Sequence, residues 1–370
     1  MEIKTIYLET YGCAANQNNS EILQGLLEQQ GMIFVSKPEL ADLVILNTCI
    51  VKGPTVQRMV SRIKELSKQN LIVAGCMPDV ASERIKKIAK KANPEAKISL
   101  IGTNHFHEIA RVMKKMAENK ETVLISQEKE IKLCFPKALR RKKVGITQIS
   151  EGCLGNCAYC IVRFAKGNLF SYPQEKIIKN VQQDLARGCK EIWLTSQDNA
   201  SYGIEHGRNM LPELLSKIIN LPSRFQVRVG MMNPSSLLPF VDDIIEIYKN
   251  KKVKKFLHVP VQAGSDKILR LMNRGYSVND FYEIVYKFRD NIPNITISTD
   301  IIVGFPGEDE KDFEKTLELI RKVGPEVLNI SKFWAMPGTL ASKMEQIPVK
   351  EQKKRAIEVM KLHKKCIKNK

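Results

Sequence analysis

Three cysteines, Cys153, Cys157 and Cys160, stand close together in the run Glu151-Gly152-Cys153-Leu154-Gly155-Asn156-Cys157-Ala158-Tyr159-Cys160. The spacing is C-x3-C-x2-C. A cube of four irons and four sulfides takes one thiolate per iron, so this trio can hold three corners and leave the fourth iron open to a substrate. Two other chemistries use thiols this near to one another. A structural zinc site normally takes two ligand pairs, and Cys157 with Cys160 has no second pair nearby. A thioredoxin-like redox pair leaves Cys153 without a role.

Three more cysteines each follow a short apolar run. Lys4 to Leu8 leads to Thr10-Tyr11-Gly12-Cys13, Leu43 to Leu46 leads to Asn47-Thr48-Cys49, and Leu71 to Ala74 leads to Gly75-Cys76. These runs read as strands, separated by amphipathic helices over Ser20–Gln30, Pro54–Lys68 and Asp79–Lys91. Right-handed β-α-β crossovers then place all three thiols along the carboxyl edge of one parallel sheet, where open α/β folds bind ligands. Cys134, Cys189 and Cys366 read as ordinary thiols. The histidines, at 105, 107, 206, 258 and 363, are scattered and receive no metal.

From Val144 onward six strand candidates alternate with helices: Val144–Ile149, Glu191–Thr195, Gln226–Gly230, Lys255–Val259, Ile295–Val303 and Glu326–Ile330. Pro173 and Gly188 bracket one helix, Ser265 and Ser277 read as N-caps, and Gly324 ends another. The fold class is α/β: an N-terminal open parallel-sheet domain over 1–125, a basic linker over 126–143, and a partial (β/α)6 barrel over 144–347. A lysine-rich helix follows over 348–370. Barrel sites lie at strand carboxyl ends, which puts Cys153, Cys157 and Cys160 at the mouth.

Composition agrees with a chemistry that acts on a polyanion. At 370 residues the chain has room for two or three domains, which excludes a miniature disulfide scaffold. Its 59 Lys and Arg against 40 Asp and Glu give a net charge of +19, a field that draws nucleic acid. No apolar run approaches the ~20 residues that span a bilayer. The N-terminal run up to Tyr11 reads as a strand rather than a signal peptide, so the expected setting is the cytoplasm, where cysteines serve metals or catalysis before disulfides.

The motif C-x3-C-x-Tyr-C after the first strand of a partial barrel resembles the radical S-adenosylmethionine superfamily. Within it the chain is similar to the methylthiotransferases, in the archaeal and eukaryotic branch that modifies threonylcarbamoyladenosine. The supporting strings are those around Cys13, Cys49 and Cys76, EIWLTSQDNASYG over 191–203, HVPVQAGS over 258–265, Met272-Asn273-Arg274, and TDIIVGFPGE over 299–308.

The resemblance implies two 4Fe-4S clusters, a radical cluster on Cys153, Cys157 and Cys160 and an auxiliary one on Cys13, Cys49 and Cys76. It also implies S-adenosylmethionine, chelated through its amino and carboxylate groups and split to a 5′-deoxyadenosyl radical. That radical takes a hydrogen from a substrate carbon, to which methylated sulfur from the auxiliary cluster adds. The expected product is a methylthio group at C2 of the threonylcarbamoylated adenosine beside the anticodon of tRNA.

Cofactor contacts are expected from Tyr159, between two ligands, from Gln197 and Asp198 past their strand, and from Arg228 pointing inward. Gln262, Asp300 and Ile302 complete the set, Ile302 through its backbone to adenine. For each polar residue a buried, hydrogen-bonded role inside the barrel stands beside the cofactor role. Arg163 and Lys166 replace the Pro and Arg of many methylthiotransferases, and Lys166 lacks the bidentate fork of arginine. The family's small C-terminal RNA-gripping β-barrel is not expected within these residues, either because it was removed or because this member lacks it. RNA contact then falls to Arg140, Arg141, Lys142, Lys143 and Arg163, and to lysines near 249–255 and 350–370.

A monomer without membrane attachment is expected, with the electron and sulfur donors undefined. Competing readings are the methylthiotransferases of isopentenyladenosine in tRNA or of a ribosomal-protein aspartate. From another class comes a non-catalytic iron-sulfur RNA-binding protein, although a purely structural cluster gains nothing from a missing ligand.

Overall fold

The computed structural model describes residues 2–51 and 53–368; positions 1, 52, 369 and 370, including the two ends of the segments read above as strand and helix, lie outside the described residues. The chain divides into two compact units, one of residues 1–153 and 161–189 and one of residues 154–160 and 190–370.

In the first unit, β1 (Thr5–Thr10), β2 (Ile33–Phe34), β3 (Leu43–Thr48), β4 (Leu71–Gly75), β5 (Ile98–Ile101) and β6 (Val123–Leu124) form one parallel sheet. Their order is β2-β1-β3-β4-β5-β6. Every residue of β3 and β4 is buried, as parallel strands covered on both faces demand. Leu43, Ile45, Ile72 and Ala74 face Leu23 and Leu27 in one apolar core. The strand order reverses between β1 and β3, and the crevice at such a reversal is where doubly wound sheets bind ligands.

The helices α1 (Ala14–Glu28), α2 (Gly53–Leu66), α3 (Cys76–Ala92) and α4 (Ile109–Ala117) cover this sheet. Both α1 and α3 start earlier than their sequence periodicity indicates, at Ala14 rather than Ser20 and at Cys76 rather than Asp79. Asparagines disfavour helix interiors because their side chains compete for backbone groups. In α1 that competition is directed outside the helix: Asn16 Nδ2 donates to the carbonyls of Tyr11 and Thr48, at 2.7 and 2.9 Å.

The first unit continues with β7 (Val144–Gln148), β8 (Ser150–Glu151), α5 (Val162–Lys166), β9 (Phe170–Ser171) and α6 (Gln174–Ala186). The stretch expected as a basic linker is packed at two of its lysines. Lys132 donates to Glu151, and Lys137 donates to the Ile146 carbonyl at 2.8 Å with Asp184 at 3.5 Å.

The second unit alternates strands and helices: β10 (Glu191–Thr195), α7 (Leu211–Ile219), β11 (Gln226–Val229), α8 (Pro234–Leu237), α9 (Val241–Lys249), β12 (Phe256–His258), α10 (Asp266–Leu271), α11 (Val278–Asn291), β13 (Thr296–Val303), α12 (Glu310–Val323), β14 (Val327–Lys332) and α13 (Val349–Lys368). β10 pairs with β11, and β12 with β13 and β13 with β14, all in parallel. Period-two alternation turns one set of side chains to the helices. The other set, with Trp193 beside Arg228 and Phe256, His258, Ser298, Asp300 and Asn329 in matching register, lines the opposite face. Ser277 caps α11 in a reciprocal box with Asp280, and Gly324 ends α12 in the left-handed region.

Candidate cluster and cofactor sites

The first unit brings Cys13, Cys49 and Cys76 to the crevice at the strand reversal. Cys13 is the N-cap of α1, Cys49 follows β3 directly, and Cys76 opens α3. Two of the three thiols thus sit at helix N-termini, whose positive ends favour thiolates. Asn16 ties the three loops together: besides its bonds to Tyr11 and Thr48, its Oδ1 lies 3.9 Å from Cys76 Sγ. Gly12, at φ +113°, lets the Cys13 turn approach Cys49 so closely that an added Cβ would fall 2.9 Å from Cys49 Cβ.

Burial pushes the thiols of Cys49 and Cys76 up, and the neighbouring cysteines push them further. Coordination reverses that balance, since a metal-bound thiol is deprotonated outright. A cube places each thiolate on a different iron, so three neighbouring cysteines from three loops suit the cube.

Close to this trio lies a buried charge group that sequence reading missed. Lys166 Nζ donates to Glu151 Oε1 at 2.5 Å and Lys132 donates to the other oxygen, with Tyr172 hydroxyl adding a bond of 3.2 Å. Burial works to raise the Glu151 carboxyl, but the two ammoniums outweigh it and hold the group down at about 2.

The C-x3-C-x2-C motif has Cys153 in the first unit and Cys157 and Cys160 in the second. Within the first unit, the amide of Cys153 donates to the Gly167 carbonyl at 3.2 Å. Within the second, the string Met272-Asn273-Arg274 holds three consecutive residues. Ala158 donates its amide to the Met272 carbonyl at 3.0 Å, Asn273 Nδ2 donates to the Asn156 carbonyl at 2.7 Å, and Arg274 Nη1 donates to Cys157 Sγ at 3.0 Å. Arg274 is itself fixed by Asn233 Oδ1 at 2.6 Å and the Tyr276 hydroxyl at 3.0 Å. A guanidinium aimed at a cysteine sulfur fits a thiolate ligand, so these residues suit the radical cluster. Sequence reading used the string only as a resemblance and gave Arg274 no role.

The expected cofactor contacts divide. Tyr159 stands edge-on to Phe305, 6.4 Å between centroids, and Phe305 in turn to Phe333. Gln197 is half-buried past the end of β10. Asp198 is buried, and its Oδ1 accepts from the amides of Ala200 at 3.1 Å and Asn233 at 2.9 Å, which braces the loop that holds Arg274. Arg228 lies between the rings of Trp193 and Phe256, 5.0 and 4.4 Å from their centroids, and burial draws its guanidinium below the usual range.

Asp300 joins His258 Nε2 at 3.2 Å and accepts from Asn329 at 2.7 Å. Gln262 adopts φ +75°, its amide donating to the Asp300 carbonyl at 2.8 Å and its carbonyl accepting from Ile302 at 2.9 Å. Of the backbone groups of Ile302, the N–H is given to the Gln262 carbonyl.

Of the expected RNA contacts, Arg141, Lys142 and Lys143 are exposed, as are Arg140 and Arg163. Arg140 reaches the Leu8 carbonyl at 3.3 Å, and Arg163 reaches Asn168 Oδ1 at 3.1 Å.

This α/β architecture with its cysteine loop defines a radical S-adenosylmethionine protein. The Radical SAM superfamily model matches residues 147–320, and the model of Uncharacterized protein family UPF0004 matches residues 5–102. The "Probable threonylcarbamoyladenosine tRNA methylthiotransferase" of Pyrococcus abyssi is 41% identical over 93% of this chain and 80% of that protein. The "Threonylcarbamoyladenosine tRNA methylthiotransferase" of Drosophila melanogaster is 36% identical over 95% of this chain and 64% of that protein. This chain belongs to the threonylcarbamoyladenosine tRNA methylthiotransferase family.

Among solved structures, the radical S-adenosylmethionine methyltransferase TsrM from Kitasatospora setae, with cobalamin and a 4Fe-4S cluster bound, shares the fold. It superposes with a TM-score of 0.63 at 13% identity, covering 92% of this chain and 77% of that one. No helix among the described residues is long and apolar enough to cross a membrane.

Proposed function

We propose that this protein transfers a methylthio group to C2 of N6-threonylcarbamoyladenosine in tRNA, in the cytoplasm. Cys153, Cys157 and Cys160 would hold the radical cluster, and Cys13, Cys49 and Cys76 the auxiliary one. When bound, the first supplies the electron that cleaves S-adenosylmethionine, and the second carries the sulfur that is methylated and transferred.

The protein's own residues supply position and shelter. Arg274 fixes the Cys157 sulfur and neutralises part of its charge, and Asp198 fixes the loop of Asn233, which orients Arg274. The polar wall of Arg228, His258, Asp300 and Asn329 offers a fixed set of charges and donors to a zwitterionic cofactor, in place of water. Exposed basic side chains from Arg141 to Lys143 and Arg163 offer phosphate contacts.

The observation that carries this reading is the gathering of Cys13, Cys49 and Cys76 around Asn16, a second thiol set that simple S-adenosylmethionine cleavage does not require. The test is mass spectrometry of tRNA nucleosides after anaerobic incubation of reconstituted protein with tRNA, dithionite and S-adenosylmethionine. A methylthio mass gain on threonylcarbamoyladenosine is expected. A gain on isopentenyladenosine instead overturns the substrate, and no 5′-deoxyadenosine above background overturns the enzyme.

A further inference from the structure

One buried group of the first unit sets two ammoniums on a single carboxylate. Lys132 and Lys166 share Glu151, and these three side chains are 0, 3 and 1% exposed. Lys129 Nζ donates to the carbonyl of Lys166. Of the nearby carboxylates, Glu130 is engaged with His107 at 2.6 Å, and Asp79 accepts from the Thr103 amide at 2.9 Å through Oδ2, while its buried Oδ1 has no hydrogen-bond partner. At Glu151 itself two buried ammoniums therefore share one carboxylate. A surplus buried charge is costly unless an anion is near.

The thiols of the auxiliary trio are placed to supply it. Lys166 ends α5, which packs on α3, and α3 opens with Cys76. The Lys166 ammonium interacts electrostatically with both Cys76 and Cys13. An oxidised four-iron cube is dipositive, so three thiolates make the assembly a monoanion, a charge that can balance the second ammonium on Glu151.

We propose that Lys166 is the charge-balancing residue of the auxiliary cluster: Glu151 and Lys132 fix its ammonium beside Cys76 and Cys13, and its charge sets how readily that cluster accepts an electron. The proposal rests on the reading of Cys13, Cys49 and Cys76 as cluster ligands. Glu151 explains why the cation does not swing into solvent, and Asp79 is the nearby charge of opposite effect.

The test uses the full chain with Cys153, Cys157 and Cys160 replaced by alanine, so that only auxiliary iron remains. It is reconstituted anaerobically at pH 8, where Asp79 is ionised. Iron and sulfide are counted, folding is checked by circular dichroism, and the potential is read by titration followed with electron paramagnetic resonance. Lys166→Gln should bind iron as the parent does yet reduce at a more negative potential, about tenfold in the reduction equilibrium, or ~59 mV for a one-electron couple. Lys166→Arg should match the parent.

Asp79→Asn, which removes a negative charge and keeps an oxygen for Thr103, should move the potential the other way. This second variant decides the matter if Lys166→Gln does not fold. Unchanged potentials in the folded variants overturn the proposal, because a purely structural role predicts no opposite-signed pair. A parent that binds no iron overturns instead the reading of the three cysteines as ligands, and the proposal falls with it.

Discussion

Arg274 places Nη1 3.0 Å from Cys157 Sγ while its Nη2 donates to Asn233 Oδ1 at 2.6 Å. One side chain thus joins the cysteine loop to the loop after β11. A charged hydrogen bond of this kind contributes about 1.5–3 kcal/mol, and Arg274→Gln forfeits it. Radical-cluster iron should become partial, and 5′-deoxyadenosine formation should drop by about tenfold to a hundredfold. Arg274→Lys keeps charge without the fork and should fall between. Iron analysis beside product chromatography checks this, and full activity in Arg274→Gln would remove the role.

Gly12 makes a separable prediction. A methyl group there meets Cys49 Cβ at 2.9 Å and Asn16 Nδ2 at 2.8 Å, on a backbone at φ +113° that side chains resist. Gly12→Ala should displace Cys49 and release the auxiliary cluster, lowering iron from about eight to about four per chain. Cleavage of S-adenosylmethionine should persist while methylthio transfer to tRNA stops. Loss of both activities together would mean that the substitution unfolds the unit.

Much of this was legible in sequence because it depends on local signals. The six strand candidates from 144 onward lie on β7, β10, β11, β12, β13 and β14, with ends that match or differ by at most two residues. The cysteine positions past β1, β3 and β4 follow from strand-turn patterns alone. What was not legible depends on partners far apart in the chain. Asn16 reads as a poor helix former until Thr48 is seen to accept its hydrogen bond, and Lys132 reads as linker charge until Glu151 is seen beneath it. Arg274 lies 117 residues from the sulfur it bonds.

The exposed run Arg141, Lys142 and Lys143 differs from Arg140, which is engaged with Leu8 and with Glu21. If these three exposed charges neutralise phosphates, replacing them with alanine should weaken tRNA binding more at low salt than at high salt. The slope of log affinity against log salt should flatten by about 2. Filter binding over a salt series measures this, and the same substitutions should leave cleavage of S-adenosylmethionine unchanged. An unaltered slope would assign these residues to an ordinary solvated face.

Glu9 and Arg62 join β1 to α2 beside the auxiliary crevice, Arg62 donating to Oε1 from Nε at 2.9 Å and to Oε2 from Nη2 at 2.5 Å. Burial alone would raise the Glu9 carboxyl, but the guanidinium and the Tyr11 hydroxyl outweigh it, and the net shift is downward. A carboxylate depressed in the folded state stabilises the protein above its unfolded pKa of about 4.3 and loses that contribution as pH falls through the folded value. Glu9→Gln should therefore cost about 1–2 kcal/mol near pH 7, where the bidentate pair is intact. The gap between wild type and variant should close as apoprotein melts are taken below about pH 4, because protonation of Glu9 removes the same pair that the substitution removes. A gap that stays constant down to acid pH would place the stabilisation in packing rather than in the charge.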